Sequence, residues 1–195
     1  GKNEAIDDWY YKYRLQVENS QFFNKVEDTN SHLNKLLGNL DVFYVLERLK
    51  FTCVSLERKR ILSLDAKGLE LKAFKRYLKD IKSTIWDKSS VFRLYYHLFM
   101  GLTEEENKGV HYEQLEKEFL NQSRKIIIRE QTNFRYAIIN YYVRRINEGD
   151  AAYKEKLHSF FEELLNKELI INKGKLEDAY YRNIVLNALS LYKLD

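Results

Sequence analysis

The sequence predicts an all-α protein, and three observations lead to that prediction. There is no proline among the 195 residues, whereas roughly ten would be expected at the usual frequency of about 5%. Since proline removes an amide donor and clashes with the preceding turn, its absence lets one helix follow another without a break. The seven glycines separate stretches of helical periodicity, and no stretch alternates with a period of two. We therefore expect about nine helices and no strands.

Four helices are predicted in the N-terminal half, each defined by apolar residues that recur every three or four positions. The first is expected over about residues 4–24 and the third over about residues 40–62. Gly38 is predicted to end the second, because glycine adopts the left-handed conformation that often closes a helix. Asp65 is placed to cap the fourth. The expected core faces are, in order, Ile6, Trp9, Tyr10, Tyr13 and Val17; Leu33, Leu36 and Leu37; Val42, Leu46, Leu49, Cys53 and Leu56; and Leu71, Phe74, Leu78 and Ile81.

Five more helices are predicted in the C-terminal half, the fifth over about residues 89–100 and the ninth over about residues 176–193. Thr103 and Glu106 have capping-box spacing, which predicts that the sixth helix starts there, and Asp150 is placed to cap the eighth. The glycines expected to end the fifth and seventh helices and to turn the chain into the ninth are Gly101, Gly149 and Gly174. The expected core faces are Phe92, Tyr95, Tyr96 and Phe99; Tyr112, Leu115 and Phe119; Phe134, Ala137, Ile138, Tyr141 and Tyr142; and Tyr153, Leu157, Phe160, Phe161, Leu164 and Leu165.

The expected architecture is a stack of antiparallel helical hairpins, because short connections force consecutive helices to pack side by side. Adjacent aromatic residues recur at intervals close to the length of one helix-turn-helix unit; the alternative is chance clustering among fifteen tyrosines. The pairs are Tyr10-Tyr11, Phe43-Tyr44, Tyr95-Tyr96, Tyr141-Tyr142 and Tyr180-Tyr181. We expect one repeat domain over residues 1–195, a right-handed α-α superhelix of about four hairpins. Because the chain opens with glycine and ends within a helical pattern, we expect an excised part of a longer protein.

The C-terminal third contains the most specific segments, Tyr141–Asp150, Tyr181–Val185 and Ala188–Leu191. With Leu40–Tyr44 upstream, they resemble a set of bacterial helical-repeat proteins related to tetratricopeptide-repeat arrays. In those proteins an Ile-Asn-x-Gly helix end precedes a hairpin and an Asn-Ile-Val helix starts the next unit. The chain departs from the tetratricopeptide consensus, because the set of Trp, Leu-Gly and Tyr is not intact and the closing proline is absent. The resemblance, which covers the chain from about residue 8, implies a degenerate helical-repeat fold and no catalytic or ligand-binding residue.

Charge and cysteine content exclude few classes of function. The 33 basic and 29 acidic residues give a net charge of +4, which is too even for a general argument for nucleic-acid or membrane binding. Cys53 is the only cysteine, so an intrachain disulfide and a cysteine-based metal cluster are excluded. Its place between Leu49 and Leu56 predicts a buried hydrophobe rather than a reactive thiol, and a cytoplasmic localisation fits this content. No apolar run approaches the ~20 residues that cross a bilayer, and no signal-peptide pattern opens the chain.

The sequence contains no catalytic motif, phosphate-binding glycine loop or H-E-x-x-H metal motif. The four histidines, at positions 32, 97, 111 and 158, are too scattered for a helical pair. The acidic clusters Asp7-Asp8 and Glu104–Glu106 are explained by the preference of helix N-termini for negative charge. We therefore expect no metal, no cofactor and no enzymatic activity. The alternative, an enzyme, requires residues that converge from distant helices.

One polar feature supports a hypothesis about function. In the basic stretch Arg58–Lys82, nine basic against three acidic residues leave a net charge of +6. Five of its members form a line opposite the apolar face of the fourth predicted helix. This basic stripe consists of Lys72, Lys75, Arg76, Lys79 and Lys82. It suits a phosphate backbone or an acidic protein segment, and the alternative is a solvated face that the acidic helix Glu104–Glu118 partly neutralises.

An extended open face of stacked hairpins suits recognition of a peptide, a helix or a partner protein. The leading hypothesis is therefore a non-enzymatic scaffold or adaptor that binds a protein or peptide. The second hypothesis is a nucleic-acid-associated factor that uses the basic stripe. Two aromatic groups either line a binding surface or belong to the hairpin core, and the core is favoured. These groups are Trp9, Tyr10 and Tyr13, and Tyr95 and Tyr96. The sequence identifies neither the partner nor the oligomeric state.

Overall fold

Helices account for nearly all the regular structure of the chain. The computed structural model describes residues 3–20, 26–62 and 70–192, and within these ranges it contains eight α-helices, which confirms the all-α class. They are α1 (Asp7–Ser20), α2 (Val26–Ile61), α3 (Leu71–Ile85), α4 (Ser90–Thr103), α5 (Lys108–Gln122), α6 (Ile128–Asn147), α7 (Ala152–Asn166) and α8 (Asp178–Tyr192). A 3-10 turn, Ser123–Lys125, connects α5 to α6. In the described ranges, no helix combines the length and the hydropathy that crossing a membrane requires.

The long helix α2 contains a position at which the sequence predicts a helix end. Gly38 lies inside this 36-residue helix, so the second and third predicted helices are one, and the prediction of a stop was wrong. A glycine in a helix interior costs only about 1 kcal/mol relative to alanine. The packing of α2 against α1 and α4 outweighs this cost, since Val42 and Leu46 are 2% and 0% exposed. The merger explains why fewer helices are found than the sequence predicts.

The junction between α4 and α5 also differs from the prediction. Gly101 lies inside α4, and a Cβ atom built there would stand 2.9 Å from Cε2 of Tyr112 in α5. The glycine therefore permits the close approach of two helices rather than ending one of them. The prediction that Thr103 caps α5 was wrong, because its hydroxyl donates to the carbonyl of Phe99 at 2.8 Å. Helix α5 begins at Lys108 without a side-chain cap.

Other helix ends follow from local side-chain chemistry. Ser89 caps α4, since its hydroxyl accepts a hydrogen bond from the backbone N–H of Phe92 at 3.0 Å. Gly149 has a φ of +95° and lies just beyond α6, which confirms the predicted helix end. The prediction that Asp150 caps α7 was wrong, because its carboxylate accepts a hydrogen bond from Arg145 at 2.9 Å.

One short β-hairpin contradicts the prediction of no strands. Strand β1 (Ile171–Asn172) pairs antiparallel with β2 (Lys175–Leu176). The turn residues Lys173 and Gly174 have φ values of +50° and +75°, the left-handed pair that a two-residue type I′ turn requires. Strands of two residues are too short to show alternation in a sequence, so only the glycine indicated this turn.

The chain divides into two compact units, Gly1–Gln131 and Thr132–Asp195. In the first unit, α2 packs against α1 and α4, and α4 packs against α5. The core of this unit is apolar and aromatic, and its fully buried members include Val45, Leu46, Leu49, Phe92, Phe99, Leu115 and Phe119. The organisation of residues 1–195 as one repeat domain stays a prediction.

A buried ion pair connects the first turn of α6 to α2 within the first unit. The side chain of Glu130 is 0% exposed, and its Oε1 accepts a hydrogen bond from Nζ of Lys50 at 2.8 Å. Its Oε2 accepts a hydrogen bond from the hydroxyl of Tyr95. Burying a carboxylate is costly unless its oxygens are satisfied, and these two donors satisfy both. No sequence pattern distinguishes Glu130 from a surface glutamate.

In the second unit, ring contacts join α6 to α7 and α8. The rings of Tyr142 and Phe160 meet edge to face, with centroids 6.3 Å apart. Tyr136 stacks on Tyr180 with centroids 6.1 Å apart, and Nε of Arg135 donates to the Tyr180 hydroxyl at 3.2 Å. Helices α7 and α8 also pack against each other. Aromatic residues therefore supply much of the packing in this unit.

Candidate interaction surface

A line of apolar side chains runs along the solvent side of α2. The side chains of Leu33, Leu37, Tyr44 and Phe51 are 47%, 45%, 49% and 65% exposed. They are separated by four, seven and seven residues, which keeps them on one helix face over about 27 Å. We call these four residues the α2 seam. The prediction that Leu33 and Leu37 belong to the core was wrong, because the opposite face of α2 packs inward.

Arg48 connects α3 to Tyr44 of the α2 seam. The guanidinium carbon of Arg48 lies 4.3 Å from the ring centroid of Phe74 in α3. Nη1 of Arg48 donates a hydrogen bond to the hydroxyl of Tyr44 at 2.9 Å. Tyr77 of α3 is half-buried, and burial, followed by the negative charge of Asp41, raises its pKa. Contacts around Arg48 therefore hold α3 against the α2 seam.

Three members of the basic stripe face solvent. The exposed members are Lys72, Arg76 and Lys79. None of them forms an ion pair or a hydrogen bond with another described residue. At about 100° per residue, a path around α3 passes from Tyr77 over Asp80 to Arg76. Arg76 lies about 100° from Tyr77, and Lys72 and Lys79 lie about 140° and 160° from it, so the cations occupy the side of α3 away from Tyr77.

The other two members of the basic stripe contact the α4–α5 hairpin. Nζ of Lys75 lies 2.5 Å from Oε1 of Glu104. Nζ of Lys82 lies 4.3 Å from the ring centroid of Trp86 and 4.6 Å from that of Tyr96, which is the geometry of a cation–π interaction. Residues 63–69 of the basic stretch, with the predicted cap Asp65, lie outside the described residues. The role of the basic stripe in binding stays a prediction.

The structure brings two histidines together from different helices. His97 in α4 and His111 in α5 face each other, with their Nδ1 atoms 3.2 Å apart. Nε2 of His111 lies 3.2 Å from Oε2 of Glu104, and the other oxygen of this carboxylate contacts Lys75. The sequence positions of the histidines exclude a pair along one helix, and this pair between two helices was not predicted. The available signal was the predicted hairpin, because the two histidines lie on either side of its turn.

The electrostatics of this cluster are set by burial and by neighbouring charge. Burial, followed by the charges of His111 and Lys82, lowers the pKa of His97 to about 4. The hydrogen bond from Lys75 is the main reason why the pKa of Glu104 is lowered. His97 is therefore neutral and Glu104 ionised at neutral pH. In the described part of the chain, no three His, Cys, Asp or Glu side chains are grouped so that they could hold a metal ion. The cluster acts as a polar link between α3 and the α4–α5 hairpin.

The two aromatic groups considered for a binding surface fall mostly in the core. The side chains of Trp9, Tyr95 and Tyr96 are 8%, 1% and 6% exposed. Tyr10 is 37% exposed, and its ring centroid lies 5.3 Å from that of Phe43. Tyr13 is half-buried. The core interpretation is therefore correct for three of the five residues, while Tyr10 reaches the surface of the α1–α2 hairpin.

The burial of Cys53 is as the sequence predicts. Its side chain is 1% exposed, and Sγ donates a weak hydrogen bond to the backbone carbonyl of Tyr95 at 3.8 Å. Burial raises the pKa of the thiol well above its usual value. The protonated thiol packs in the core and is a poor nucleophile.

A second exposed apolar face lies on α8 in the second unit. Tyr181, Leu186 and Leu189 are 62%, 54% and 44% exposed. Helix α8 has 15 residues, whereas α2 has 36. The α2 seam is the longer of the two faces and offers the larger apolar contact surface.

No family model, curated protein or solved structure matches the chain. The resemblance to bacterial helical-repeat proteins therefore stays a prediction. The fold and its surface define an all-α chain of helical hairpins, and its exposed apolar helix face is the candidate interaction surface.

Proposed function

We propose that this protein is a non-enzymatic scaffold or adaptor that binds a protein or peptide partner along the α2 seam. The observation that carries the proposal is the row of four apolar side chains, each at least 45% exposed, opposite the core face of α2. Such a row is unfavourable in water, because each side chain forgoes the free energy that burial would provide. Contiguous exposed apolar patches are typical of protein interaction sites.

The α2 seam also has the composition of an interface centre. Aromatic residues are enriched among the residues that dominate binding energy. Two of the four residues of the α2 seam, Tyr44 and Phe51, are aromatic. The hydroxyl of Tyr44 accepts a hydrogen bond from Arg48, which fixes the ring before a partner arrives. Because this ordering cost is met within the free protein, more of the burial energy is available for binding.

Differential affinity capture tests the proposal. The full chain is immobilised in wild-type form and as the double variant Tyr44→Ser/Phe51→Ser, and bound proteins from native lysate are identified by mass spectrometry. A protein that is retained by the wild type and lost by the variant is then purified, and its direct binding is measured by calorimetry. We expect at least one such protein, with affinity reduced about a hundredfold by the double change, since two aromatic contacts are lost.

The matched control is the double variant Val110→Ser/Ile128→Ser, which removes two side chains that are 57% and 73% exposed outside the α2 seam. It should retain the partner fully. Circular dichroism must show the same helicity for all three proteins. Equal capture by the three proteins, or no direct binding after purification, would contradict the proposal.

A second candidate is a nucleic-acid-associated factor that uses the basic stripe. The observation in its favour is that Lys72, Arg76 and Lys79 are exposed on one helix face. It is the weaker candidate, because Lys75 and Lys82 already contact the α4–α5 hairpin. Anisotropy with labelled single- and double-stranded oligonucleotides tests it. Binding at low salt that falls steeply with added salt would favour this candidate, and no binding at low salt would exclude it.

A further inference from the structure

We propose that a small organic anion binds in a cleft between α1 and α2, on the side of α2 that faces away from the α2 seam. The cleft has a volume of about 670 Å³, and small-molecule sites typically measure about 300–1,000 Å³. Its walls come from α1, from the N-terminal half of α2 and from the turn between α3 and α4. At about 100° per residue, Lys35 and Val42 in its wall lie about 140–180° from every member of the α2 seam. This site is therefore separate from the surface of the proposed function and goes beyond it.

The cleft exists because the core face of α2 continues beyond the core. Val42 and Leu49 on this face are 2% and 0% exposed, and the turns that precede them carry Gly38 and Lys35 on the same face. A Cβ atom built at Gly38 would meet no atom within 4 Å, so no side chain fills the space above this glycine. The hydrophobic packing of this face therefore stops at Val42, and an open space remains beside α1.

The charge of the lining favours an anion. Lys35 of α2 and Lys88 of the turn before α4 both line the cleft, and both are exposed. Neither forms an ion pair with another described residue. Among the described residues that line the cleft, none is acidic. The cleft therefore offers two positive charges, which attract a carboxylate or a phosphate and repel a cation.

Neutral polar side chains supply further hydrogen-bonding groups. Ser31 and Asn34 line the cleft, as do Gln16 of α1 and Asn39 of α2. Nδ2 of Asn39 donates a hydrogen bond to Oε1 of Gln16 at 3.0 Å, which joins the two helices at the cleft and leaves the amide nitrogen of Gln16 as a donor. Side chains that are already fixed in the free protein lose less conformational entropy when a ligand binds.

Trp9 contributes a buried donor without an acceptor. It lines the cleft and is 8% exposed, and its indole Nε1 has no hydrogen-bond acceptor among the described residues. Buried donors in folded proteins nearly always have a partner, and an oxygen of the anion would supply one after a small rotation of the ring. Nζ of Lys12 lies 3.9 Å from the ring centroid of Trp9, which adds a further positive charge beside the indole.

Two matched pairs of probes test the proposal and separate the two kinds of anion. Glucose 6-phosphate is compared with glucose, and benzoate with benzyl alcohol, by calorimetry against the full chain at low salt. At least one of the anions should bind with a Kd of about 1 mM or less, and about tenfold more tightly than its neutral counterpart. Added salt should weaken this binding. In Trp86→Phe, Trp9 is the only tryptophan, so a change in fluorescence on binding would place the anion beside it.

Variants of the protein test the two cations and the open space separately. Lys35→Gln/Lys88→Gln should weaken binding of the anion about tenfold, because both positive charges of the lining are lost. The control Lys72→Gln/Lys79→Gln removes two exposed lysines of α3 that do not line the cleft, and it should keep the affinity of the wild type. Gly38→Leu should fill the space and abolish binding, whereas Gly38→Ala should retain it. If Gly38→Leu does not fold, the lysine variants still decide, since all four lysines are exposed.

Three outcomes would overturn the proposal. Binding of neither anion, or equal binding of each anion and its neutral counterpart, would exclude an anion site. Equal affinity in the wild type and in Lys35→Gln/Lys88→Gln would show that the anion binds elsewhere on the chain. The proposed function is tested separately, because Tyr44→Ser/Phe51→Ser changes the α2 seam alone and should bind the anion as the wild type does.

Discussion

The Nδ1 atoms of His97 and His111 lie 3.2 Å apart, one on each helix of the α4–α5 hairpin. A neutral imidazole has one donor and one acceptor nitrogen, so the two rings can share one hydrogen between these atoms. Because the Glu104 carboxylate only accepts, Nε2 of His111 carries a hydrogen, so Nδ1 of His111 accepts and Nδ1 of His97 donates. Burial, His111 and Lys82 together lower the pKa of His97 to about 4. Burial and the neighbouring charges therefore favour the neutral form of His97.

The lowered pKa of His97 predicts a loss of stability in mild acid. The unfolded chain binds a proton at His97 near pH 6.5, whereas the folded chain binds it only near pH 4. Between these values the unfolded state carries the extra proton, so stability falls as pH decreases from about 6.5 to about 4, by up to roughly 3 kcal/mol. Urea unfolding at pH 7 and pH 5 measures the effect. Both tryptophans, Trp9 and Trp86, lie in the first unit, and their fluorescence reports on it.

The variant His97→Asn should reduce the difference in stability between pH 7 and pH 5. His158→Asn is the control, because His158 belongs to the second unit and pairs with Glu162 on the surface of α7. The lowered pKa of Glu104 adds a further loss of stability, but only as the pH falls below about 4.5. If the stability of His97→Asn depended on pH as strongly as that of the wild type, His97 would not be the cause of the pH dependence.

Gly38→Ala should stabilise the protein. A Cβ atom at position 38 would meet no atom within 4 Å, and alanine in a helix interior is favoured over glycine by up to about 1 kcal/mol. The gain is measured by the midpoint of thermal unfolding, followed by circular dichroism. A lower midpoint would show that α2 is not continuous at this position.

Gly101→Ala should have the opposite effect. The new Cβ would lie 2.9 Å from the ring of Tyr112, which is 1% exposed and has little room to move. We expect a loss of about 1–3 kcal/mol from overpacking, measured by urea unfolding. When Tyr112 is replaced by the smaller leucine, Gly101→Ala should cost less: the stability difference between Gly101→Ala/Tyr112→Leu and Tyr112→Leu should be smaller than that between Gly101→Ala and the wild type. Additive losses in the double variant would mean that the two positions do not collide.

Glu130→Gln should be strongly destabilising. It removes the negative charge that faces Lys50 in a site where Glu130 is 0% exposed, and breaking one half of a buried ion pair typically costs about 3–5 kcal/mol. Chemical unfolding of the single variant measures this loss. In Lys50→Met/Glu130→Gln the buried cation is absent, so a large part of the stability should return. A double variant no more stable than Glu130→Gln would rule out an uncompensated Lys50 charge as the cause.

The α2 seam should contribute little to the stability of the free protein. Phe51 is 65% exposed, whereas Leu49, two residues away, is 0% exposed. Phe51→Ser is therefore expected to change the free energy of unfolding by no more than about 0.5 kcal/mol, and Leu49→Ser to lower it by several kcal/mol. Denaturant unfolding of the two variants compares them. Equal losses would mean that Phe51 is packed against the protein and is not free to bind a partner.

The sequence predicted the class and most helices because buried residues repeat at 3.6-residue spacing. The predicted core face of α2, which includes Val42, Leu46 and Leu49, was correct, but Leu33 and Leu37 were wrongly assigned to the core. Both Val42–Leu46–Leu49 and Leu37–Tyr44–Phe51 have helical spacing, and only tertiary packing makes the first face core and the second surface. The same limit explains Gly38, where a weak local preference for ending a helix was outweighed by contacts distant in sequence.

The polar clusters were less predictable than the helices, because their members come from different helices. His97 and His111 are neighbours only after α4 and α5 fold against each other, and Lys50 meets Glu130 across 80 residues. The basic stripe was visible as a line on one helix. Arg76 faces solvent, whereas Lys75 pairs with Glu104. This difference depends on the neighbouring hairpin and has no local signal in the sequence.

The burial of Cys53 has a practical consequence for experiments. Since the only thiol of the chain is enclosed in the core and stays protonated, maleimide reagents should leave the folded wild type unmodified. A cysteine introduced at Phe51 or Lys79 would then be the single reactive site, with no need to replace the native residue. Fluorophores or spin labels could thus be attached to the α2 seam or to α3, and the distance from each label to a labelled partner could be measured spectroscopically.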